Sequence, residues 1–263
     1  MKLSVSNIAW TAQEDINMYS FLQNEQINAL EIAPTRIFPE NPYEKLREAS
    51  IFRKFLSEKF ALSISSIQSI WFGRKEKLFS TKEERDFLLE YTKKAILFEE
   101  QLQCGNLVFG CPKNRVLPVD KSSNDIIPFF RELGEFAQAH HTCIGIEANP
   151  PIYGTNFLNT TIETFDFVSR VDSSGVKVNL DVGAMLYNQE QPELIKNCIP
   201  YISHIHISEP NLEMVQNREF HHRLANILRN EKYSGYISLE MKNLKDEISL
   251  KSVIQYLKTR FGR

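Results

Sequence analysis

The sequence predicts a single (β/α)8 TIM barrel, an α/β fold that takes residues 1–263 as one domain. Short β-prone stretches alternate eight times with longer segments of helical periodicity, the pattern of a parallel sheet wrapped by helices. The length of 263 residues is that of one closed eight-unit barrel. Four successive strand-like stretches in the second half end in a metal-ligand residue type, at spacings of roughly 30 residues that suit a βαβ repeat. They are Ile144-Gly145-Ile146-Glu147, Lys177-Val178-Asn179-Leu180-Asp181, Ile202-Ser203-His204-Ile205-His206 and Tyr236-Ile237-Ser238-Leu239-Glu240.

Taken in order, residues 2–8 alternate apolar and polar side chains and form the first strand. Residues 14–24 follow as a helix with Met18, Phe21 and Leu22 on one face. Residues 27–33 are the second strand, ended by Pro34. The second helix opens at Asn41-Pro42, where proline suits the first turn, and runs to residue 59. Residues 61–69 are the third strand. Residues 81–102 are a long helix, with Ser80 or Thr81 as its cap and Glu83 and Glu84 in its first turn. A strand over 105–110 leads to a helix over 124–140, where His140-His141 reads as a surface pair. The remaining strands are 142–148, 176–180, 201–208 and 235–241. The remaining helices are 160–171, preceded by Asn159 as a cap, then 191–197, 221–230 and 248–261. The longest loops follow strands 2, 3, 4, 5 and 7, on the face where such barrels carry active sites. No G-x-G-x-x-G follows the first strand, which weighs against a dinucleotide fold.

Composition narrows the function classes. Hydrophobic residues are 42% and charged residues 24%, ordinary for a globular protein. A formal net charge of −2 implies no nucleic acid or other polyelectrolyte partner, and the run Arg74-Lys75-Glu76-Lys77, broken by acid, reads as a solvated face. Cys104, Cys111, Cys143 and Cys198 form no C-x-x-C pair and read as buried thiols of a reduced compartment. The polar N-terminus lacks a secretory pattern and no apolar run is long enough to span a membrane, so the expectation is a cytoplasmic protein with no membrane partner. A small-molecule partner remains, and homo-oligomerisation is left open.

Strand-end placement would bring Glu147, Asp181, His206 and Glu240 together. Three carboxylates and an imidazole in one place repel unless a divalent cation joins them, and an oxygen-rich set with one nitrogen suits Mn, Mg, Co or Zn. His204, two residues before His206, points to the same side of its strand and reads as a buried supporting or packing residue.

These residues resemble the xylose isomerase-like TIM barrels, specifically the sugar phosphate isomerase/epimerase group. The resemblance covers the whole chain. It is sharpest in Ile146-Glu147-Ala148-Asn149-Pro150, Asn179-Leu180-Asp181-Val182-Gly183, His204-Ile205-His206-Ile207-Ser208-Glu209-Pro210 and Ser238-Leu239-Glu240-Met241. It implies one divalent metal ion on Glu147, Asp181, His206 and Glu240. It also implies a sugar or sugar phosphate substrate isomerised or epimerised through a metal-stabilised enediolate, with Glu147 and Glu240 as catalytic acid and base. Two positions depart from the family: Ala184 stands where a histidine is common, and the loop after strand 7 has no arginine before Arg218. The alternatives are a metal-dependent dehydratase or lyase on the same site, or a non-catalytic sugar-binding barrel. A trinuclear zinc endonuclease would need histidines after strands 2 and 3, where the sequence has Ala33-Pro34-Thr35-Arg36 and Ser69-Ile70-Trp71-Phe72.

Substrate contacts are expected from Lys113 and Arg115 after strand 4, as cations for a phosphate or carboxylate, from His221 or His222, and from Trp71 as a pocket wall. Trp10, Phe72, Tyr153 and Asn156 are further wall residues.

Overall fold

The structure, a computed structural model, describes residues 1–262. Eight strands, β1 (Lys2–Ser6), β2 (Ala29–Ile32), β3 (Ser63–Ile67), β4 (Leu107–Phe109), β5 (Ile144–Glu147), β6 (Val176–Asp181), β7 (Ile202–Ile207) and β8 (Tyr236–Leu239), pair in sequence order, all parallel, and β8 closes on β1. Around them run α1 (Asp15–Asn24), α2 (Pro34–Ile37), α3 (Leu46–Phe60), α4 (Lys82–Leu102), α5 (Ile127–Ala139), α6 (Thr161–Val171), α7 (Val182–Tyr187), α8 (Glu219–Asn230) and α9 (Glu247–Phe261). The predicted fold is the observed one. No helix among the described residues is long and apolar enough to cross a membrane.

The period-2 alternation of the strands divides two environments. Ile205 and Ile207, Ile237 and Leu239, and Val178 and Leu180 are fully buried in the apolar layer. Their neighbours Asn179, His204, His206 and Ser238 are equally buried, and their hydrogen-bond and ion-pair partners lie on other strands, across the barrel's interior. The lumen is therefore polar: Ser4 and Ser65 hydroxyls meet at 2.6 Å, Gln68 donates to Ser6 at 2.6 Å and Asn106 donates to Ser66 at 2.8 Å. Each such group needs a partner because water is excluded.

Three elements differ from expectation. The second helix starts at Leu46, not at Pro42, because Pro42–Glu44 forms a separate 3-10 turn. A short helix, α2, begins at Pro34, where proline occupies the first helical position. The sixth helix is α7, not residues 191–197, which hold only the 3-10 turn Pro192–Ile195. α7 starts directly off β6 because the Asp181 side chain accepts the Ala184 amide at 2.5 Å and caps it. α6 is capped by Thr160, with Glu163 completing a capping box, and not by Asn159.

Candidate active site

Register brings the strand ends together. Asp181 pairs with His206 across β6 and β7, and Glu147 pairs with Asn179 across β5 and β6. Glu240 follows β8, its amide donating to Ile207 O at 3.0 Å. The Nδ1 atom of His206 lies 3.0 Å from Glu147 Oε1, 3.2 Å from Glu240 Oε2 and 4.0 Å from Asp181 Oδ2. One ligand atom from each of the four residues falls within 4.8 Å of all the others. Ligands about 2.1 Å from one cation stand roughly 3.0–4.2 Å apart, so the donor set fits a single divalent ion.

The electrostatics support that fit. Asp181 is pushed up to about 8 by burial and by the Glu147 and Glu240 carboxylates, and burial raises Glu240 as well. Burial alone would lower His206; the Glu240 and Glu31 carboxylates override it and raise the imidazole well above its ordinary value. Buried acids of like sign are held together here with only one imidazole to offset them, which is the arrangement a divalent cation relieves.

The supporting contacts were mostly unforeseen. Glu31, on β2, is fully buried, and its Oε2 lies 3.0 Å from Nε2 of His206 and 2.8 Å from Nε2 of His204. Gln68 donates to its Oε1 at 3.0 Å. A proton on Nε2 of His206 facing Glu31 leaves the Nδ1 lone pair for a cation, the usual carboxylate–histidine pairing behind a metal. Both carboxylate oxygens of Glu147 accept amide hydrogen bonds, from Asn179 at 2.7 Å and Asn149 at 2.9 Å. Ser208 donates to Asp181 at 2.6 Å. Gly110 leaves room for Glu147, since a Cβ there would stand 2.8 Å from Glu147 Oε2. The visible signal for Glu31 was an acid inside the apolar run Ala29-Leu30-Glu31-Ile32. His204 has the supporting position expected of it.

A cavity of about 180 Å³ opens over the cluster, lined by Gln68, Gly110, Pro112, Glu147, Asn149, Tyr153, Asp181, Leu212 and Glu240 among others. The expected substrate contacts mostly lie elsewhere. Trp71 is buried, donates to Thr92 Oγ1 at 2.8 Å and packs edge-on to Phe109: it is core. Arg115 is wholly buried between the Phe109 and Phe157 rings and donates to the Glu147 carbonyl oxygen at 2.8 Å. It braces the strand end and cannot reach a substrate. Lys113 is exposed and does not line the cavity. His221 is buried between α8 and α9 against the Tyr256 hydroxyl at 2.9 Å, and burial pushes it down to about 4. His222 pairs with Arg260. Asn156 ties its loop to Leu117. Tyr153 does line the cavity, while Trp10 and Phe72 line a larger neighbouring groove. Arg218 grips Glu209 with two hydrogen bonds of 2.6 Å, so the later arginine closes the β7 loop on itself. The four cysteines are half-buried free thiols.

Residues 28–260 match the family model described as xylose isomerase-like TIM barrel. The chain belongs to that family. Among solved structures, this xylose isomerase-like barrel is similar to a D-psicose 3-epimerase crystallised in the presence of D-fructose, at a TM-score of 0.81 and 16% identity over 100% of both chains. D-psicose 3-epimerase from Clostridium cellulolyticum H10 superposes at 0.79 with 16% identity over 99% of both. The 3-keto-D-glucoside 4-epimerase YcjR from E. coli superposes at 0.76 with 14% identity, over 98% of this chain and 99% of that one. At such identities the likeness is one of fold. No curated protein matches the chain in sequence.

Proposed function

We propose that this xylose isomerase-like barrel is a divalent-metal-dependent isomerase or epimerase acting on a sugar or sugar derivative. The observation that carries the reading is the convergence of Glu147, Asp181, His206 and Glu240 on one centre beneath a cavity. These four residues would hold the ion. That the similar structures are sugar epimerases adds to the reading.

When bound, a divalent cation supplies the positive charge that makes a proton next to a sugar carbonyl acidic enough to leave at neutral pH. The chain's own groups then divide the work. Glu147 and Glu240 face the same cavity from β5 and β8, so one removes the proton and the other returns it. They are not equivalent: two amides hold Glu147 in one orientation, whereas Glu240 has its Oε2 3.2 Å from Nδ1 of His206. Tyr153 and Leu212 line the same cavity.

The test is metal-dependent solvent-deuterium incorporation into ketoses, aldoses and their derivatives, read by NMR. Wild type with Mn, Mg, Co or Zn should exchange a carbon-bound proton, and Glu240→Gln should slow that exchange by about 10²–10⁴-fold. Metal uptake with no exchange into any sugar would remove the isomerase/epimerase reading.

A further inference from the structure

The cavity over the cluster does not end there. It shares Ile8 and Ser69 with a groove of about 810 Å³ bordered by the loops that follow β1, β2 and β3. Ligand sites commonly enclose about 300–1,000 Å³, a range the cluster cavity falls short of and the groove reaches. A substrate whose reacting carbons lie over the cluster and that extends past Ile8 and Ser69 enters the groove.

The charges of the two ends are opposite in kind. The cluster end carries three carboxylates with a fourth, Glu31, behind them. Two arginines line the groove. Arg36 is committed, with Asp15 at 2.6 Å and the Trp10 carbonyl oxygen as its partners. Arg74 has no carboxylate within ion-pair distance among the described residues. Its guanidinium lies over the ring of Tyr91 at 5.2 Å and that of Phe87 at 5.8 Å, and its Nε is buried without a hydrogen-bond partner. Its backbone is held in turn, the amide donating to Trp71 O at 3.0 Å and the carbonyl accepting from Asn114 at 3.1 Å. A guanidinium stacked on rings keeps its in-plane N–H groups available for a planar or tetrahedral anion. The one carboxylate on the groove wall, Glu40, is exposed to solvent.

We propose that the substrate is a sugar bearing an anionic substituent, a phosphate or carboxylate, at the end remote from the reacting carbon, and that Arg74 binds this substituent in the groove. The run Arg74-Lys75-Glu76-Lys77 is then only partly a solvated face: its first residue is half-buried and lines the groove, as it lines a smaller hollow with Phe87, Tyr91, Glu44 and Glu90. The anion-binding role expected of Lys113 and Arg115 passes to Arg74. The sugar end of this inference rests on the isomerase/epimerase reading; the anionic end does not.

Binding, which needs no turnover, tests it. Mn-loaded wild type and Arg74→Gln are titrated calorimetrically with matched pairs: D-fructose and its 6-phosphate, D-glucose and its 6-phosphate, and D-galactose and D-galacturonate. At least one anionic member should bind about tenfold or more tighter than its neutral partner, as a charge-assisted fork contact allows. Arg74→Gln should close that gap and leave the neutral partner's affinity unchanged, and Arg74→Lys should close it only in part. Equal affinities within every pair, no binding by any anionic member, or equal weakening of both members in Arg74→Gln would each overturn the proposal. Binding of an anionic sugar through Arg74 with no deuterium exchange into any sugar upholds this inference and removes the isomerase/epimerase reading. Exchange without preference for the anion does the reverse.

Discussion

At the scale of the residue, His206 decides what the site can be. Its two ring nitrogens face different groups, Nδ1 the carboxylate cluster and Nε2 the buried Glu31. Glu31 does not line the cavity over the cluster, so its contribution runs through the imidazole. Glu31→Gln keeps the volume but removes the charge that holds the Nε2 proton. Affinity for Mn or Zn should fall about 10–100-fold, read by competition with a chromophoric chelator, while the circular dichroism spectrum stays that of wild type. Unchanged affinity in a folded variant would make Glu31 a packing residue only. The clustering of the four strand-end residues was legible because each closes an apolar run. Glu31 was not, because a single acid inside a short strand reads equally well as a solvent-facing residue. Arg115 and Trp71 misled for a related reason: a loop residue after a strand can turn under the barrel's rim as readily as over it, and periodicity carries no information there.

At the scale of the element, β6 and α7 share one residue. Asp181 ends the strand, lies in the cluster and caps the helix through the Ala184 amide. The two roles can be separated. Asparagine still accepts the amide but loses the charge, so Asp181→Asn should keep most of the melting temperature and lose most of the metal affinity. Asp181→Ala loses both, with a cap cost of about 1 kcal/mol in the metal-free protein. Equal melting temperatures for the two metal-free variants would show that the cap contributes nothing. The same sharing explains why the sixth helix was misplaced. The sequence after Asp181 is short and rich in small apolar residues, and only a cap hidden inside the site starts a helix there. Apart from the short α2, which the sequence reading did not foresee, the remaining helices were placed to within a few residues because their apolar faces are long enough to show a period, as α4 and α9 do.

At the scale of the whole molecule, the metal-free barrel encloses charge in a polar lumen, and its stability must follow the protons there. Asp181 is raised to about 8, against about 3.9 for an unperturbed aspartate. A carboxyl raised on folding holds its proton more tightly in the native state. Its contribution is complete below the unfolded value and declines as pH climbs towards 8. Glu240 and His206 are also raised and act with the same sign, Glu31 is lowered and acts only in acid, and His204 and His221, lowered by burial, act oppositely below about pH 6.5. The melting temperature of chelator-treated protein should therefore fall between about pH 6.5 and pH 8.5, and the rise produced by added Mn should grow over the same interval, because metal and protons compete for these groups. A flat or rising melting temperature in the chelated protein would contradict the buried cluster. The fold at this scale was readable from eight repeats and chain length. The polar lumen was readable only in part, since alternation marks two faces of a strand without saying that both are closed to water.

Gly110 extends the consequence beyond this chain. The hydrogen atom at its Cα reserves the space that one oxygen of Glu147 fills. A homologue could retain Glu147, Asp181, His206 and Glu240 and still lose their arrangement by acquiring one methyl group at this position, with little effect on folding because only the tip of a flexible side chain need move. When sequences of this kind are sorted into working and silent copies, the diagnostic pattern has five letters, and the fifth is an absence of side chain.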